Sequence, residues 1–436
     1  MIQFAFMPWI SSALLLMAGP MILLSSTLWP IGAAFALIAI GTSVATRRNH
    51  GLPRDEFAVL SLLILGIIGT IVVSTDWLAS LPRVLGLLFA AAVYVAVRSF
   101  VRATEQATGI LTLLSGVGLA IGLVGLVGTD WRLEYSKVAL FLPFYDRLPR
   151  LISSVPSSQG TIPGFHPNEV AAICALLVPI AFTVAGLGWK RIAAHQKYGW
   201  WIGILAFGSI MVLLLYIVLS VSRAAWVSLT LGLVVAAIMY WRKRGVFLVA
   251  LLGLAATGGW FWLGQTIDIR GLLTTTDFLW TAESWGRPTR YQMWGRAVTL
   301  IGEHPLFGIG PNMFPQVAGF ELTVPGSVPH AHNMYLQVAL DFGLLGLGMF
   351  VVMLLTAIKQ VRTYASTEGP LRLIRAGLAG SLVVYLVFGL VDAVAVGAKP
   401  TFIPWTILAL AASMRWSDAA IHLPGSDSGR AELRGT

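Results

Sequence analysis

Long apolar runs alternate with short polar segments, many of them basic, along most of the chain. A run of about 17–25 apolar residues is long enough to cross a bilayer as an α-helix. The pattern predicts twelve such spans, which would place both termini on the same side of the membrane. They cover residues 5–25, 28–46, 57–75, 81–98, 107–128, 165–187, 200–220, 224–241, 246–264, 334–358, 374–396 and 400–415.

Composition supports the same interpretation. The 436 residues are 57% hydrophobic and 11% charged, with a mean hydropathy of +0.81. A soluble domain would carry about a quarter charged residues, so we expect an all-α integral membrane protein. The first 46 residues lack the basic start and cleavage site of a signal peptide and are expected to be two retained helices. The single cysteine, Cys174, is expected to be a small buried apolar residue.

Lysine and arginine residues divide unequally between the two sets of loops. One set holds 18 of the 29, and the other holds 11. Because cytoplasmic loops are enriched in basic residues, the first set and both termini are predicted to be cytoplasmic. Topology thus explains the net charge of +10, and nucleic acid is not expected as a partner. Two long segments, 129–164 and 265–333, would lie outside and hold eight of the 11 external basic residues, which are therefore free to be functional.

The polar segment 281–346 concentrates candidate chemistry. Guanidinium groups donate two parallel hydrogen bonds to phosphate, so clustered arginines in an external cleft suit a phosphate-bearing ligand. The alternative is a solvated or headgroup-binding surface. The arginines of this segment are Arg287, Arg290 and Arg296, and its histidines are His304, His330 and His332.

Arg223 lies in SVSRAAW, where two predicted spans meet with almost no loop between them. A charge near hydrocarbon costs roughly 2.5–3.5 kcal/mol unless it is paired or faces water. An interfacial arginine that extends to lipid headgroups is one explanation. The flanking Ser222 and the immediate return to apolar sequence favour the other, a guanidinium that faces a cavity and binds a diphosphate.

His332 and Asn333 stand where the external segment ends and the apolar stretch MYLQVALDFGLLG begins. A neutral imidazole can accept a proton from a hydroxyl. A helix N-terminus disfavours the protonated form and attracts phosphate. We therefore predict that His332 is a catalytic base supported by Asn333, against the alternative of a surface histidine. His330 is a weaker candidate.

A metal site is not expected. The spacing of His330 and His332 permits shared coordination in an extended segment, but no cysteine or carboxylate lies near them in sequence. Asp392 lies inside the apolar run FGLVDAVAVG. An intramembrane carboxylate is a functional candidate by default, and here it is expected to pair with one of the arginines.

Other polar residues have simpler explanations. Gly308 and Gly310 follow no predicted strand, so they do not indicate a nucleotide-binding loop. His304 is expected to pack or cap a helix end. In TIPGFHPNEVAAICALL, Glu169 stands at a helix start and would complement the helix dipole there, close to His166.

Three motifs together resemble the O-antigen ligase and O-antigen polymerase superfamily of bacterial membrane glycosyltransferases. They are SRAAW, RYQMWGRAVTLIGEHPLFGIGPNMF and HNMYLQVALDFGLLGLGMF. The resemblance is strongest over residues 205–395, and the first half of the chain is similar in hydropathy alone. FHPNEVAA is similar to a segment of these proteins more loosely.

The resemblance implies a multi-helix fold of the large (GT-C-like) membrane glycosyltransferase type. Such enzymes transfer a glycan from undecaprenyl diphosphate to an acceptor hydroxyl on the periplasmic side of the bacterial inner membrane. By motif, Arg223 and Arg290 would bind the diphosphate and His332 would activate the acceptor. Asp392 lies near a position that is often acidic in the superfamily. No metal or other cofactor is implied.

The expected organisation is one membrane domain, residues 1–421, with a ligase-like core at about 205–395 and a periplasmic loop at 265–333. The small, polar residues 422–436 are expected to form a disordered cytoplasmic tail.

The acceptor is not specified by these motifs. Transfer to lipid A–core is the first expectation; extension of the glycan on its lipid carrier, or transfer to protein serine or threonine, are alternatives. A lipid or polysaccharide transporter is a candidate of another class, although matched broken helices in two halves are not evident. A non-catalytic scaffold is the third. Membrane lipids are expected contacts in every case.

Overall fold

The computed structural model describes residues 7–23, 27–45, 52–101, 104–131, 142–148, 151–152, 155–157, 160–162, 164–196, 198–245, 288–320, 330–363, 369–393 and 399–414. The helices of this part are α1 (Met7–Leu23), α2 (Trp29–Ala45), α3 (Arg54–Ile68), α4 (Trp77–Phe100), α5 (Thr104–Gly128), α6 (Leu142–Tyr145), α7 (Pro167–Ala193), α8 (Gly199–Ser220), α9 (Arg223–Trp241), α10 (Arg290–Glu303), α11 (Phe314–Val317), α12 (Met334–Thr363), α13 (Gly369–Phe388) and α14 (Phe402–Ala412). A π-helical turn, Gly69–Val73, extends α3, and a 3-10 turn, Lys399–Thr401, precedes α14.

The protein is an all-α integral membrane protein, as the hydropathy pattern predicts. Eight helices of the described part are long and apolar enough to cross a membrane, and three shorter apolar helices, α1, α2 and α14, accompany them. These eleven helices match eleven of the predicted spans. The remaining predicted span, 246–264, and the predicted tail, 422–436, lie outside the described residues. A two-stranded hairpin, Val155–Ser157 with Gly160–Ile162, adds a small strand element in one predicted external segment.

Helix α7 packs against four other helices, α5, α8, α9 and α13. Small residues let α9 and α13 approach closely: a Cβ on Gly232 would lie 2.6 Å from the carbonyl oxygen of Gly380. Further along the same antiparallel pair, Nε of Arg372 donates to the carbonyl oxygen of Met239 at 3.4 Å. The two helices therefore stay in contact over several turns.

Helix α12 is broken at Gly343, where φ is 70° and ψ is −175°. The segment after α10 fills the break: Ile309 N donates to Leu340 O at 2.7 Å, and Leu344 N donates to Pro305 O at 2.8 Å. Backbone groups freed by the break thus find partners inside the protein, as a membrane helix requires. The predicted span 334–358 is consequently two helical pieces around an inserted loop, because Gly343 adopts a conformation that ends the first piece.

Helix α13 ends earlier than the apolar pattern predicts. The run was expected to continue to residue 396, whereas the helix stops at Phe388 and turns follow at residues 389–392. Asp392 therefore lies beyond the helix and not inside a span. The apolar run did not reveal this end, because the residues of the turns are themselves mostly apolar.

Candidate functional site

The site is built around residues 330–333, termed the histidine loop, which lead into α12. Asn333 is the N-cap of α12, since its Oδ1 accepts hydrogen bonds from the backbone N of Tyr335 at 3.0 Å and of Leu336 at 3.1 Å. The residue that precedes this cap, His332, has a φ of 48°, in the left-handed region that non-glycine residues seldom adopt.

Three hydrogen bonds tie the start of α12 to the end of α13. Met334 N donates to Gly389 O at 2.7 Å, Asn333 Nδ2 donates to Leu390 O at 3.0 Å, and the Tyr335 hydroxyl donates to Leu386 O at 3.1 Å. The turns after α13 are therefore held beside the histidine loop, which brings Asp392 into the site. The structural role of Asn333 agrees with the supporting role predicted for it.

The His332 and Asp392 side chains are in direct contact, with 3.1 Å between Nδ1 and Oδ1. An ionised carboxylate only accepts hydrogen bonds, so the proton of the neutral imidazole is on Nδ1 and the lone pair is on Nε2. The His332 side chain is 25% exposed, whereas that of Asp392 is 10% exposed. The arrangement is a base oriented by a buried carboxylate.

Burial alone would raise the pKa of the Asp392 carboxyl, but nearby positive and hydrogen-bonding groups outweigh burial and hold the pKa well below its usual range. The largest of these contributions come from His332, followed by His330 and Arg290. The backbone N of Ala393 also donates to Oδ1 at 2.8 Å. Asp392 is therefore ionised at neutral pH and available as a partner for a protonated imidazole.

His330 is buried, and burial together with the neighbouring His332 lowers its pKa to about 3. Its Nδ1 accepts a hydrogen bond from the backbone N of His332 at 3.1 Å, and its Nε2 lies 3.8 Å from Oδ1 of Asp392. The two imidazole rings are 4.3 Å apart between centroids. His330 thus remains neutral and supports the backbone conformation of its neighbour.

His330, His332 and Asp392 are also a set of side chains that could hold a metal ion, because one ligand atom of each lies within 4.8 Å of the others. No metal was expected from the sequence, because no cysteine or carboxylate lies near the two histidines along the chain. Folding supplies a carboxylate from 60 residues away. The prediction that the site works without a metal stays a prediction.

Arg290 and Arg296 both belong to α10 but have different surroundings. A capping box of Thr289 and Gln292 starts the helix at Arg290, which is close enough to Asp392 to lower the pKa of that carboxyl. Arg296 instead donates to two backbone carbonyls, from Nε to Ala318 O at 3.1 Å and from Nη2 to Val317 O at 3.3 Å. These contacts favour a structural role for Arg296 over the predicted diphosphate contact. Arg287 lies outside the described residues.

Arg223 starts α9 at the same end of the bundle as the histidine loop. Gly232 in α9 and Gly380 in α13 are in contact where these antiparallel helices pack. Arg223 lies nine residues before Gly232, and Gly389 lies nine residues after Gly380. Equal steps along antiparallel helices reach the same level, so Arg223 is level with Gly389. Met334 N donates to the carbonyl of that glycine, which places the histidine loop there too.

Arg83 was predicted only to be an external basic residue, but it lies close to the site. Arg83 acts electrostatically on His330 in the histidine loop, on Glu169 at the start of α7 and on Asp341 in α12. His166, the N-cap of α7, also acts on His330. The available signal was a charged residue inside an apolar span, since Arg83 is the third residue of the predicted span 81–98.

The loop between α10 and α11 shows why two of the motifs occur together. Gly308 has φ of 72°, and a Cβ there would overlap the carbonyl oxygen of Leu340; a Cβ on Gly343 would overlap that of Leu306. Both glycines are needed where the inserted loop meets the break in α12. They position the elements that carry Arg290 and His332.

Comparison with known families shows one match relevant to this geometry. A family model described as O-antigen ligase matches residues 208–351. The match includes Arg223, Arg290 and His332 and ends before Asp392. A comparison with curated protein sequences gave no match.

Proposed function

We propose that this chain, which the family match assigns to the O-antigen ligase and polymerase superfamily, transfers a glycan from undecaprenyl diphosphate to an acceptor hydroxyl. The observation that carries the proposal is the His332–Asp392 contact of 3.1 Å, because it prepares an imidazole to accept a proton. We place the site at the periplasmic face of the bacterial inner membrane. Lipid A–core is the acceptor we favour.

In the proposed step, the acceptor hydroxyl oxygen attacks the anomeric carbon of the first sugar. Its proton moves to Nε2 of His332, and the bond between the anomeric carbon and the phosphate oxygen breaks. The electron pair of that bond leaves with undecaprenyl diphosphate. Asp392 stabilises the imidazolium that forms, and its low pKa keeps it charged while it does so.

The leaving diphosphate needs positive charge, which Arg223 and Arg290 would supply. A bidentate guanidinium holds phosphate oxygens in fixed positions, and preformed charge of this kind stabilises a leaving group that becomes more negative. Because the arginines provide the charge, the step as written uses no metal ion or organic cofactor. Arg287 is kept in the proposal as a predicted contact, whereas the carbonyl contacts of Arg296 favour a structural role.

Extension of the glycan on its lipid carrier is the second candidate, since the superfamily includes polymerases and the chemistry at the anomeric carbon is the same. A protein serine or threonine is a third possible acceptor. A transporter would need none of the proton transfer that the His332–Asp392 contact supports.

The test is a transfer assay in lipid nanodiscs with undecaprenyl-diphosphate-linked glycan as donor and lipid A–core as acceptor, with mass analysis of the products. The variants are His332→Ala and, as the matched control, His304→Ala, because His304 is exposed at the end of α10. We expect transfer to be lost in the first and kept in the second. Intact transfer by His332→Ala contradicts the mechanism.

The same assay separates the alternatives. A product in which glycan is joined to another lipid-linked glycan identifies a polymerase, and transfer to an added peptide identifies a protein acceptor. Movement of the intact donor across the bilayer of proteoliposomes, without cleavage of its phosphate bond, identifies a transporter.

A further inference from the structure

We propose that Arg83 is an additional anion-binding residue of this site and that its guanidinium contacts a phosphate group of the lipid diphosphate donor. This inference rests on the proposed function and extends it to a residue outside the family match, which begins at residue 208.

Arg83 is held in place by Asn312. Its Nη2 donates to Oδ1 of Asn312 at 3.2 Å, and Nδ2 of the same amide donates to the carbonyl oxygen of Ala79 at 2.9 Å. Ala79 and Arg83 are one turn apart on α4 and so share a face of this helix. A single amide therefore fixes one edge of the guanidinium, and its other donors stay available for a ligand.

No carboxylate neutralises Arg83 in the part of the chain that the structure describes. Its one hydrogen bond there is to the neutral Asn312, and no acidic side chain lies within ion-pairing distance. Asp341 and Glu169 are near enough for a long-range electrostatic effect but form no ion pair with it. The guanidinium is half-buried, and none of the described carboxylates contacts it directly.

The position of Arg83 makes this charge costly. It is six residues after the start of α4 at Trp77, about 9 Å along the helix axis, in a segment apolar enough to span a membrane. A charge in such a segment faces a water-filled cavity or a partner. Since no described carboxylate lies within ion-pairing distance, an anionic substrate group is the direct partner that the chemistry calls for.

A continuous chain of hydrogen bonds joins the Arg83 anchor to the histidine loop. The backbone N of Asn312 donates to Oδ1 of Asp341 at 3.3 Å, and Nε2 of Gln337 donates to the same oxygen at 2.8 Å. Oε1 of Gln337 accepts from the backbone N of Ala331 at 2.9 Å. Ala331 lies between the two histidines of the loop, so Arg83 and His332 belong to one connected framework.

The identity of the anion follows from the site. Arg83, Arg223 and Arg290 belong to three different helices, α4, α9 and α10, and a diphosphate offers more oxygens and more charge than a monophosphate. A ligand with two phosphates can contact guanidinium groups on separate helices at the same time, whereas a ligand with one phosphate can contact fewer of them. The inference therefore predicts selectivity for the diphosphate.

The test measures binding of farnesyl diphosphate and farnesyl monophosphate to the full chain in detergent micelles, by titration and by the shift of the thermal unfolding temperature. The variants are Arg83→Gln and Arg83→Lys. Ser80→Ala is the matched control for the loop contact, because Ser80 Oγ donates to Pro311 O at 2.6 Å and clamps the same loop to α4. Arg290→Gln removes a guanidinium that is already proposed to bind the diphosphate, so it serves as the reference for the loss of such a contact.

We expect Arg83→Gln to weaken diphosphate binding tenfold or more and monophosphate binding by less. Arg83→Lys is expected to fall between Arg83→Gln and wild type, and Ser80→Ala to bind within about twofold of wild type. If Arg83→Gln does not fold, the test uses the ratio of diphosphate to monophosphate affinity in Arg83→Lys. A ratio equal to that of wild type overturns the inference. Wild-type affinity in Arg83→Gln, or an equal loss in Ser80→Ala, also overturns it.

Failure of the proposed function gives a different result. Absence of glycan transfer together with diphosphate binding that depends on Arg83 would contradict the transferase and leave the inference standing. Wild-type protein that binds neither farnesyl ligand overturns both.

Discussion

The Nδ1 atom of His332 lies 3.1 Å from the Oδ1 atom of Asp392, across 60 residues of sequence. Folding joins them through hydrogen bonds between the start of α12 and the last turn of α13 with the residues that follow it. The contact decides which imidazole nitrogen carries the proton, and so which one can act as a base. The predictions below depend on this contact and on the elements that hold it.

Replacing Asp392 by asparagine should slow glycan transfer while donor binding is maintained. The amide keeps an acceptor for the Nδ1 proton, but it no longer stabilises the imidazolium that forms during the reaction. We expect the turnover rate to fall by about 10²–10⁴-fold, the usual contribution of assisted proton transfer. Steady-state kinetics with donor titrated at saturating acceptor would measure it. A turnover rate within threefold of wild type would show that the carboxylate is only structural.

Arg290→Gln and Arg296→Gln, two changes on one helix, should have opposite consequences. Arg290 lies in the electrostatic range of Asp392, so we expect Arg290→Gln to raise the KM for the donor with little effect on thermal stability. Arg296 donates to two backbone carbonyls of the α11 segment, so Arg296→Gln should lower the free energy of unfolding by about 1 kcal/mol. Kinetics and thermal unfolding of both variants would test this. The reverse pattern would restore the predicted diphosphate contact of Arg296.

Gly343→Ala should strongly destabilise the protein. Gly343 has φ of 70°, and a Cβ there would overlap the backbone of Leu306 in the inserted loop. We expect a loss of about 3 kcal/mol or more, because backbone strain and overlap act together. Gly348→Ala on the same helix is the control, since a Cβ there meets open space and its effect should stay within about 1 kcal/mol. Equal thermal unfolding temperatures for the two variants would contradict the broken helix.

Stability should fall with pH below neutrality because of His330. An unfolded histidine binds its proton near pH 6.5, whereas burial keeps the folded pKa of His330 at about 3. Between these values the unfolded chain binds a proton that the folded protein excludes, so the free energy of unfolding decreases as the pH drops, by up to about 1.4 kcal/mol per pH unit. Asp392, whose folded pKa is lowered, acts in the same direction only below about pH 4.

Thermal unfolding between pH 7.5 and pH 5 would measure this dependence. His330→Gln should show a shallower slope than wild type, since glutamine can still accept the backbone hydrogen bond of His332 but does not titrate. His304→Gln is the control and should keep the wild-type slope, because His304 is exposed. Identical slopes in wild type and His330→Gln would mean that His330 is not buried as a neutral imidazole.

Hydropathy was sufficient to predict most of the fold, because a span needs little more than length and apolar character. Two features escaped it for physical reasons. The break at Gly343 lies in the mostly apolar stretch LDFGLLG, and only the inserted backbone of residues 305–310 reveals why the helix stops there. The end of α13 at Phe388 was hidden by the apolar residues of the turns that follow.

The site was predictable where a charge stood against an apolar background. This reasoning singled out Arg223 and Asp392, and it would have identified Arg83 had that residue not been assigned to topology. The partner of His332 was harder to predict, since only three-dimensional structure shows that the chain after α13 returns to the histidine loop. The carbonyl contacts of Arg296 were equally invisible, because they are made to backbone atoms.

The central claim is that His332 accepts the proton of the acceptor hydroxyl, and single-turnover glycan transfer by His332→Gln tests it most directly. Enzyme in excess of donor removes product release from the measured rate, and farnesyl diphosphate binding in the same preparation reports whether the diphosphate site is intact. The account predicts a rate about 10²–10⁴-fold below wild type with diphosphate affinity unchanged. A wild-type single-turnover rate in His332→Gln would contradict it.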